Sequence, residues 1–478
     1  MFNNLDLDVI FHPKSIAVVG VPSKVGGNGW LGMYGSLLKF DYPGRLYPIN
    51  PKVSELGGVK VYPNLSSLPE TVDLVILSIP AQYVPDTLRE CARTGNKNVH
   101  IFTSGFKETG EAEGLRLQEE IEIIARENQL RIIGPNCMGL YVPKSKIVSW
   151  PAAPTESGRI AFLSQSGGHA QDFTNYGARL GLRYSKVVSY GNALTLDACD
   201  FLEYLAEDPD TDIIAMYLEG ISDGRRLLKI VKKINQFKPV VILKAGLTES
   251  GTRAVATHTG SMAGETHLWD AFFKQSGAIQ AHSLQDMAHT VLALQNINKV
   301  QGSRVALLGV GGGVGVEAAD ACSRAGLKMP DLIPTTQKKL REFIAPAGNM
   351  IKNPIDAMPI LLSFKLMSKT LDIVSSEPYF DMIIISLHLD WIYDMDQGVH
   401  IQKLASYLAT SAGKHLNGKP LAVCWRASRL EPKIEEQGLI LEKELLQAGV
   451  PVYRDLPETA NALARISNYH QQKKHLSN

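Results

Sequence analysis

The feature that most constrains this chain is a recurring pair: a short apolar run that stops at Gly, Pro or Asn, followed by a stretch with helical spacing. SIAVVG, RLYPIN, LVILSIP, VHIFTSG and RIIGPN come first, then RIAFLSQSG, IIAMYLEG and PVVILKAG, and last RVALLGVGGG, MIIISLHLD, PLAVCWR and VPVYR. Runs that are apolar throughout suit strands buried on both faces, and stretches such as 84–93 and 111–128 suit the helices that cover them. The alternation predicts parallel α/β sheets. At one domain per roughly 100 to 200 residues, a chain of this length makes about three. The Pro-rich SWPAAPTESG (149–158) and the segment near 298–302 divide it into 1–150, 151–300 and 301–478, and the terminal HQQKKHLSN reads as a frayed tail.

A net charge of +1, with 20% charged and 45% hydrophobic residues, describes a globular protein that does not work by bulk attraction to nucleic acid or membrane. The five cysteines, Cys91, Cys137, Cys199, Cys322 and Cys424, lie far apart, with neither zinc-ligand spacing nor a disulfide framework, which fits a cytoplasmic protein without a metal site. The N-terminus has no basic region followed by an apolar stretch, and no run reaches about 18 apolar residues. Secretion and membrane spanning are not expected.

Five segments carry candidate chemistry. SIAVVGVPSKVGGNGW runs from a strand into a Gly-rich turn that can meet a phosphate or simply be tight. A dinucleotide fingerprint would want Gly where Pro22 stands and an acid after the next strand, yet that strand ends in Asn50-Pro51-Lys52. Lys52 favours a ligand richer in phosphate, such as CoA, over the NAD of an oxidoreductase. FLSQSGGHAQDF places Ser164, Ser166, Gly167 and Gly168 at a helix start, which serves either an anion or ordinary N-capping. Glu219 follows the run IIAMYL, and His258 stands among small residues in ATHTGSMAG. An imidazole nucleophile needs one ring nitrogen free and a carboxylate on the other, so these two form a candidate pair. His169 is the competing histidine, better suited to packing. RVALLGVGGGVGVE repeats the strand and Gly-rich turn with Gly311, Gly312, Gly313 and Gly315. Asp356, in NPIDAMP, reads as a turn residue.

VVG…YPINPK, SIPAQYV, TSGFKETG and GPNCMGL occur in the order and at about the spacing of the CoA-binding domain of the succinyl-CoA synthetase superfamily. From about residue 11 to about 469 the chain most resembles the alpha subunits of ADP-forming acetyl-CoA synthetases. The resemblance implies a Rossmann-like CoA-binding domain followed by two flavodoxin-like parallel α/β domains. It implies a CoA site at Gly20, Ser23, Lys24, Lys52, Pro80, Ala81, Ser104, Gly105, Asn136 and Cys137, the last a buried wall residue rather than a nucleophile. THTGSMAG is similar to the family's phosphohistidine loop and YLEGISDGRR to its glutamate motif, so His258 becomes the phosphoryl carrier and Glu219 its carboxylate. The resemblance further makes the 164–168 and 311–315 turns two helix starts that face the phosphohistidine. Val21-Pro22 and Leu247 depart from the small and basic residues usual at their places. The implied reaction joins a carboxylic acid to CoA at the expense of ATP through an acyl phosphate. Neither an ATP-grasp module nor a GxxxxGKS or GxxxxGKT loop is present, so ATP and Mg²⁺ are expected through a separate ATP-grasp beta subunit in an α2β2 assembly. A non-catalytic CoA sensor is the rival from another class. No motif encodes the acid.

Overall fold

Five of the apolar runs form the first sheet: β1 (Ser15–Val19), β2 (Arg45–Ile49), β5 (Leu74–Leu77), β6 (Asn98–Ile101) and β7 (Arg131–Ile133), with a small hairpin, β3 (Glu55–Leu56) and β4 (Val59–Lys60), between β2 and β5. The computed structural model describes residues 6–24, 32–150, 153–253, 265–309, 311–414 and 416–477. The sheet is parallel, in the order β2-β1-β5-β6-β7. Strands β1 and β5 are buried along their whole length, as their unbroken apolar sequences require. The helices Val84–Arg93 and Ala112–Asn128 return the chain between strands. Strand order reverses at β1, so a crevice opens beyond the carboxyl ends of β1 and β5, where sheets of this type bind ligands.

The second sheet runs β14-β13-β12-β10-β11-β8-β9. Its parallel part consists of β10 (Ser157–Ser164), β11 (Tyr184–Ser189), β12 (Ile213–Leu218), β13 (Val240–Lys244) and β14 (Ile279–Ala281). Two antiparallel strands, β8 (Gly139–Val142) and β9 (Ile147–Val148), complete the β11 edge. Both precede the Pro-rich segment, so the second sheet begins before the boundary that composition suggests. One apolar core serves both sheets, uniting Phe11, Ile16 and Leu74 with Phe201, Ile214 and Phe273. Phe11 stacks on Tyr204 with ring centroids 4.7 Å apart. The consequence is one compact unit, Met1–Met287, that contains two sheets.

The other compact unit, Ala288–Asn478, holds the third sheet, β16-β17-β15-β18-β19-β20. Here β15 (Val305–Leu308), β18 (Met382–His388), β19 (Leu421–Arg426) and β20 (Val452–Tyr453) are parallel to one another, and β17 (Ile355–Asp356) joins β15 in parallel but β16 (Met350–Ile351) in antiparallel. The last helix, Leu456–Ser477, runs into the terminal segment. Gln and Lys are good helix formers, and local anchors hold them there. Gln471 Nε2 donates to Ser467 Oγ at 3.0 Å and Lys474 Nζ donates to the Gln301 carbonyl at 3.2 Å. Among the described residues no helix is long and apolar enough to cross a membrane.

A buried ion pair ties β11 to the connection before β12. Lys186, 1% exposed, donates to Asp208 Oδ2 at 2.8 Å, and Thr211 Oγ1 donates to the same oxygen at 2.6 Å. Removing one partner strands a charge in the core, whereas replacing both with apolar groups does not. We expect Asp208→Asn to lower unfolding stability by about 3 to 5 kcal/mol and Lys186→Met with Asp208→Leu to recover most of the loss, as urea denaturation can measure.

Candidate active site

The first Gly-rich turn leaves β1 at Gly20, whose φ is +95°, and a Cβ there would lie 2.2 Å from the Ser78 carbonyl oxygen. Only glycine lets the β1 turn approach the end of β5 so closely. Asn50 fastens the next strand to this turn: its Nδ2 donates to the Val21 carbonyl at 2.6 Å and its Oδ1 accepts from Lys52 N at 2.8 Å. Ser23, Lys24 and Lys52 are exposed, and residues 25–31 lie outside the described residues. At the end of β5, Thr103 Oγ1 donates to the Ile79 carbonyl at 2.7 Å and fixes the Ser78-Ile79-Pro80 turn. The Glu108 carboxylate accepts from Gly105 N at 2.7 Å and Phe106 N at 3.1 Å, holding Gly105 against Ala81. Asn136 N donates to the Thr103 carbonyl at 2.9 Å. Cys137 is buried with its Sγ 3.7 Å from the Ile101 carbonyl, and burial pushes its thiol well above the ordinary range. Buried, protonated thiols are poor nucleophiles.

In the second sheet, functional side chains collect at the carboxyl ends of β10, β12 and β13. Ser164 is fully buried; its hydroxyl donates to the Ser166 carbonyl at 2.7 Å and accepts from Ser166 N at 3.1 Å. It therefore shapes the turn from beneath. Ser166 caps the helix Gly167–Arg179, its Oγ accepting from His169 N at 3.3 Å. Gly167 and Gly168 occupy the first turn, where amides have no intrahelical acceptor and the helix dipole is positive. His169 packs its ring on Tyr217 at 4.3 Å. Glu219, 3% exposed, accepts from the Tyr217 hydroxyl at 3.2 Å. Its carbonyl accepts from Lys244 Nζ at 2.8 Å. Burial pulls the Lys244 ammonium down to about 8, and the nearby Glu219 charge opposes that fall. His258 lies outside the described residues.

These pieces meet in one cleft of about 560 Å³ within the first unit. Its walls bring Pro80, Ser104, Asn136 and Cys137, expected to bind CoA, together with Ser166, Gly167 and Gly168, expected to bind phosphate. Gly20, Ser23, Lys24, Lys52, Ala81 and Gly105 are not on its wall, and Glu219 reaches it through a residue that the sequence reading passed over. That residue is Gln165, whose Oε1 accepts from both Glu219 N and Gly220 N. Gly191 was also missed. A Cβ at Gly191 would lie 2.3 Å from the carbonyl oxygens of Pro135 and Asn136, so only glycine lets its turn close over the GPNC loop. The sequence signal for Gln165 was its place inside SQSGG; Gly191 had none beyond a turn-like SYGN.

The remaining glycines belong to the second unit. Gly311 is the N-cap of the helix Gly312–Ala325, and Gly312 and Gly313 face open space. Gly315 is buried with its N–H donating to the Gly311 carbonyl at 3.0 Å, so it serves packing rather than offering an amide. This helix start opens on a small cavity lined in part by Asp356, Ser386, His388, Trp391 and Arg426. Burial pushes the Asp356 carboxyl up, and His388 stacks on Trp391 at 4.4 Å.

Residues 14–143 match the family model described as CoA binding domain, and residues 157–294 match the succinyl-CoA ligase like flavodoxin domain. The acetate–CoA ligase (ADP-forming) II subunit alpha of Pyrococcus furiosus is 36% identical, the match covering 96% of each chain. Acetate–CoA ligase (ADP-forming) I of Archaeoglobus fulgidus is 33% identical over 97% of this chain, which spans only 64% of that longer protein. Among solved structures, the dinucleotide forming acetyl-coenzyme A synthetase 1 of Ca. Korarchaeum cryptofilum, in complex with phosphate and ADP, superposes with a TM-score of 0.83 at 28% identity, covering 99% of this chain and 98% of that one. Identity of this level over nearly the whole length of a subunit sets aside the oxidoreductase reading: the chain belongs to the alpha-subunit family of the ADP-forming acetate–CoA ligases.

Proposed function

We propose that this chain is the CoA-binding, phosphohistidine-carrying subunit of an acyl-CoA synthetase that runs acid + CoA + ATP ⇌ acyl-CoA + ADP + phosphate. The observation that carries the reading is the single cleft in which the Pro80, Ser104 and Asn136 wall faces the Ser166 to Gly168 helix start. A thioester synthesis through an acyl phosphate needs the CoA thiol and the departing phosphate side by side, and the adjacency of these two walls supports that reading.

A carboxylate is a poor acyl donor because its oxygen is a poor leaving group. In the proposed sequence the carboxylate oxygen attacks phosphorus on phospho-His258; the P–O bond forms, the N–P bond breaks and the imidazole keeps the electron pair. CoA thiolate then attacks the acyl carbon, the C–S bond forms, and the C–O bond breaks as phosphate leaves. The histidine divides one difficult transfer into two easier ones. Glu219 stabilises the charged imidazole, and the Gly167 and Gly168 amides hold the phosphate, an interaction of roughly 1 kcal/mol or more in a partly buried place. In the second unit the helix starting at Gly312 has first-turn amides without an intrahelical acceptor of their own. A separate ATP-grasp beta subunit supplies ATP with Mg²⁺, in an α2β2 assembly. Among the described residues no three metal-ligating side chains gather.

Two outcomes test the reading. The purified chain alone should form no acyl-CoA from ATP, and adding the beta subunit should restore CoA-dependent phosphate release with at least one acid of a screened panel; robust turnover without the partner would contradict it. Glu219→Gln keeps the shape of the side chain but removes its charge, so phosphorylation of the complex should slow by roughly 10²-fold while CoA affinity on calorimetry stays the same.

A further inference from the structure

Gln165 is 8% exposed, which for a long polar side chain demands that its amide be satisfied. Its carbonyl end is satisfied twice, by the N–H groups of Glu219 and Gly220, and both are backbone donors that can pair only with oxygen. The orientation of the amide is thereby fixed, with the NH₂ group on the other side. That NH₂ makes no hydrogen bond among the described residues, and Gln165 forms part of the cleft wall directly beside Ser166, Gly167 and Gly168. A donor without a protein acceptor, carried by a side chain nine-tenths buried and set beside the first-turn amides of a helix start, is arranged for an anion with several acceptor oxygens.

We infer that the Gln165 Nε2–H₂ group donates to an oxygen of the phosphoryl group handled in this cleft, and that the same side chain, through Oε1, fixes the backbone of Glu219 relative to that group. The phosphoryl identity rests on the functional reading above; the anion site itself rests on the geometry. Binding a phosphate monoanion or dianion would then draw on side-chain and backbone donors together, and the amide plane would transmit any movement of the Glu219 turn to the bound oxygen.

Two substitutions separate donor from buttress. Gln165→Glu keeps an acceptor for both backbone N–H groups but replaces the donor with a negative oxygen, whereas Gln165→Leu removes both functions. The full-length chain is titrated with inorganic phosphate and followed by ³¹P NMR line broadening, with CoA calorimetry as the control for folding. Wild type should bind phosphate, Gln165→Leu should bind about tenfold more weakly or worse, and Gln165→Glu should lose measurable binding, all with CoA affinity within about twofold. In the two-subunit complex, the KM for phosphate in the acyl-CoA-consuming direction should rise in the same order. Wild-type phosphate affinity in Gln165→Glu would overturn the inference, as would a defect confined to Gln165→Leu, which is the signature of a buttress alone. A wild-type complex that consumes no acyl-CoA but shows the phosphate pattern would sink the functional reading and leave the anion site standing.

Discussion

The N–H groups of Asn192 and Leu194 donate to the carbonyls of Pro135 and Gly134 at 3.0 and 2.9 Å, and the rest of the candidate site depends on this clamp. It fastens a turn after β11 of the second sheet to the loop after β7 of the first. Lys107 Nζ donates to the Asn192 carbonyl at 3.2 Å and Asn192 Nδ2 donates to Glu108 at 2.6 Å, so the same turn also holds the Gly105 loop. Met138 N, donating to Ser189 Oγ at 3.1 Å, closes the other side. The GPNCMGL and TSGFKETG segments, far apart in sequence, are thus fastened to one short turn of the second sheet.

The shared apolar core makes that arrangement rigid enough to be useful. Phe11 lies on Tyr204, and Lys186, paired with Asp208 beneath it, comes within 5.9 Å of the Phe11 ring centre. A cleft built by two modules that could move independently would not hold donors within hydrogen-bond reach of a small anion. The electrostatics follow from strand ends: β10 delivers the helix start, β12 delivers Glu219, and β13 delivers Lys244, whose ammonium is engaged by backbone carbonyls of Glu219 and Ala245 and so orders the turn that presents the carboxylate.

Much of this was legible in the residues. Parallel strands announce themselves as unbroken apolar runs: SIAVVG, RIAFLSQSG and IIAMYLEG became β1, β10 and β12, and the polar end of RIAFLSQSG lies on the cleft wall. The pairing of Ser166 to Gly168 with Asn136 and Cys137 could not be read, because it depends on contacts between distant segments. Strands β8 and β9 were hidden for a related reason: GLYV and IV are too short to signal a strand, and they are stabilised by pairing, β8 with β11 across the Pro-rich segment and β9 with β8, rather than by their own pattern. The length of the last helix was not legible, because polar composition alone says nothing about contacts such as that of Lys474 with the Gln301 carbonyl. Gln165 was overlooked because serine and glycine are the familiar marks of a phosphate turn, whereas a glutamine declares its role only when its carbonyl is seen to be occupied.

The central claim is that the phosphoryl group passes through His258. The most direct test incubates the chain and its beta subunit with γ-labelled ATP, digests the complex under alkaline conditions, and maps the labelled peptide in wild type and in His258→Ala. Label that survives base but not acid, found on the peptide containing His258 and lost together with acyl-CoA synthesis in the variant, is the predicted result. Label on His169 or on no residue of this chain, with normal synthesis by His258→Ala, would contradict the account.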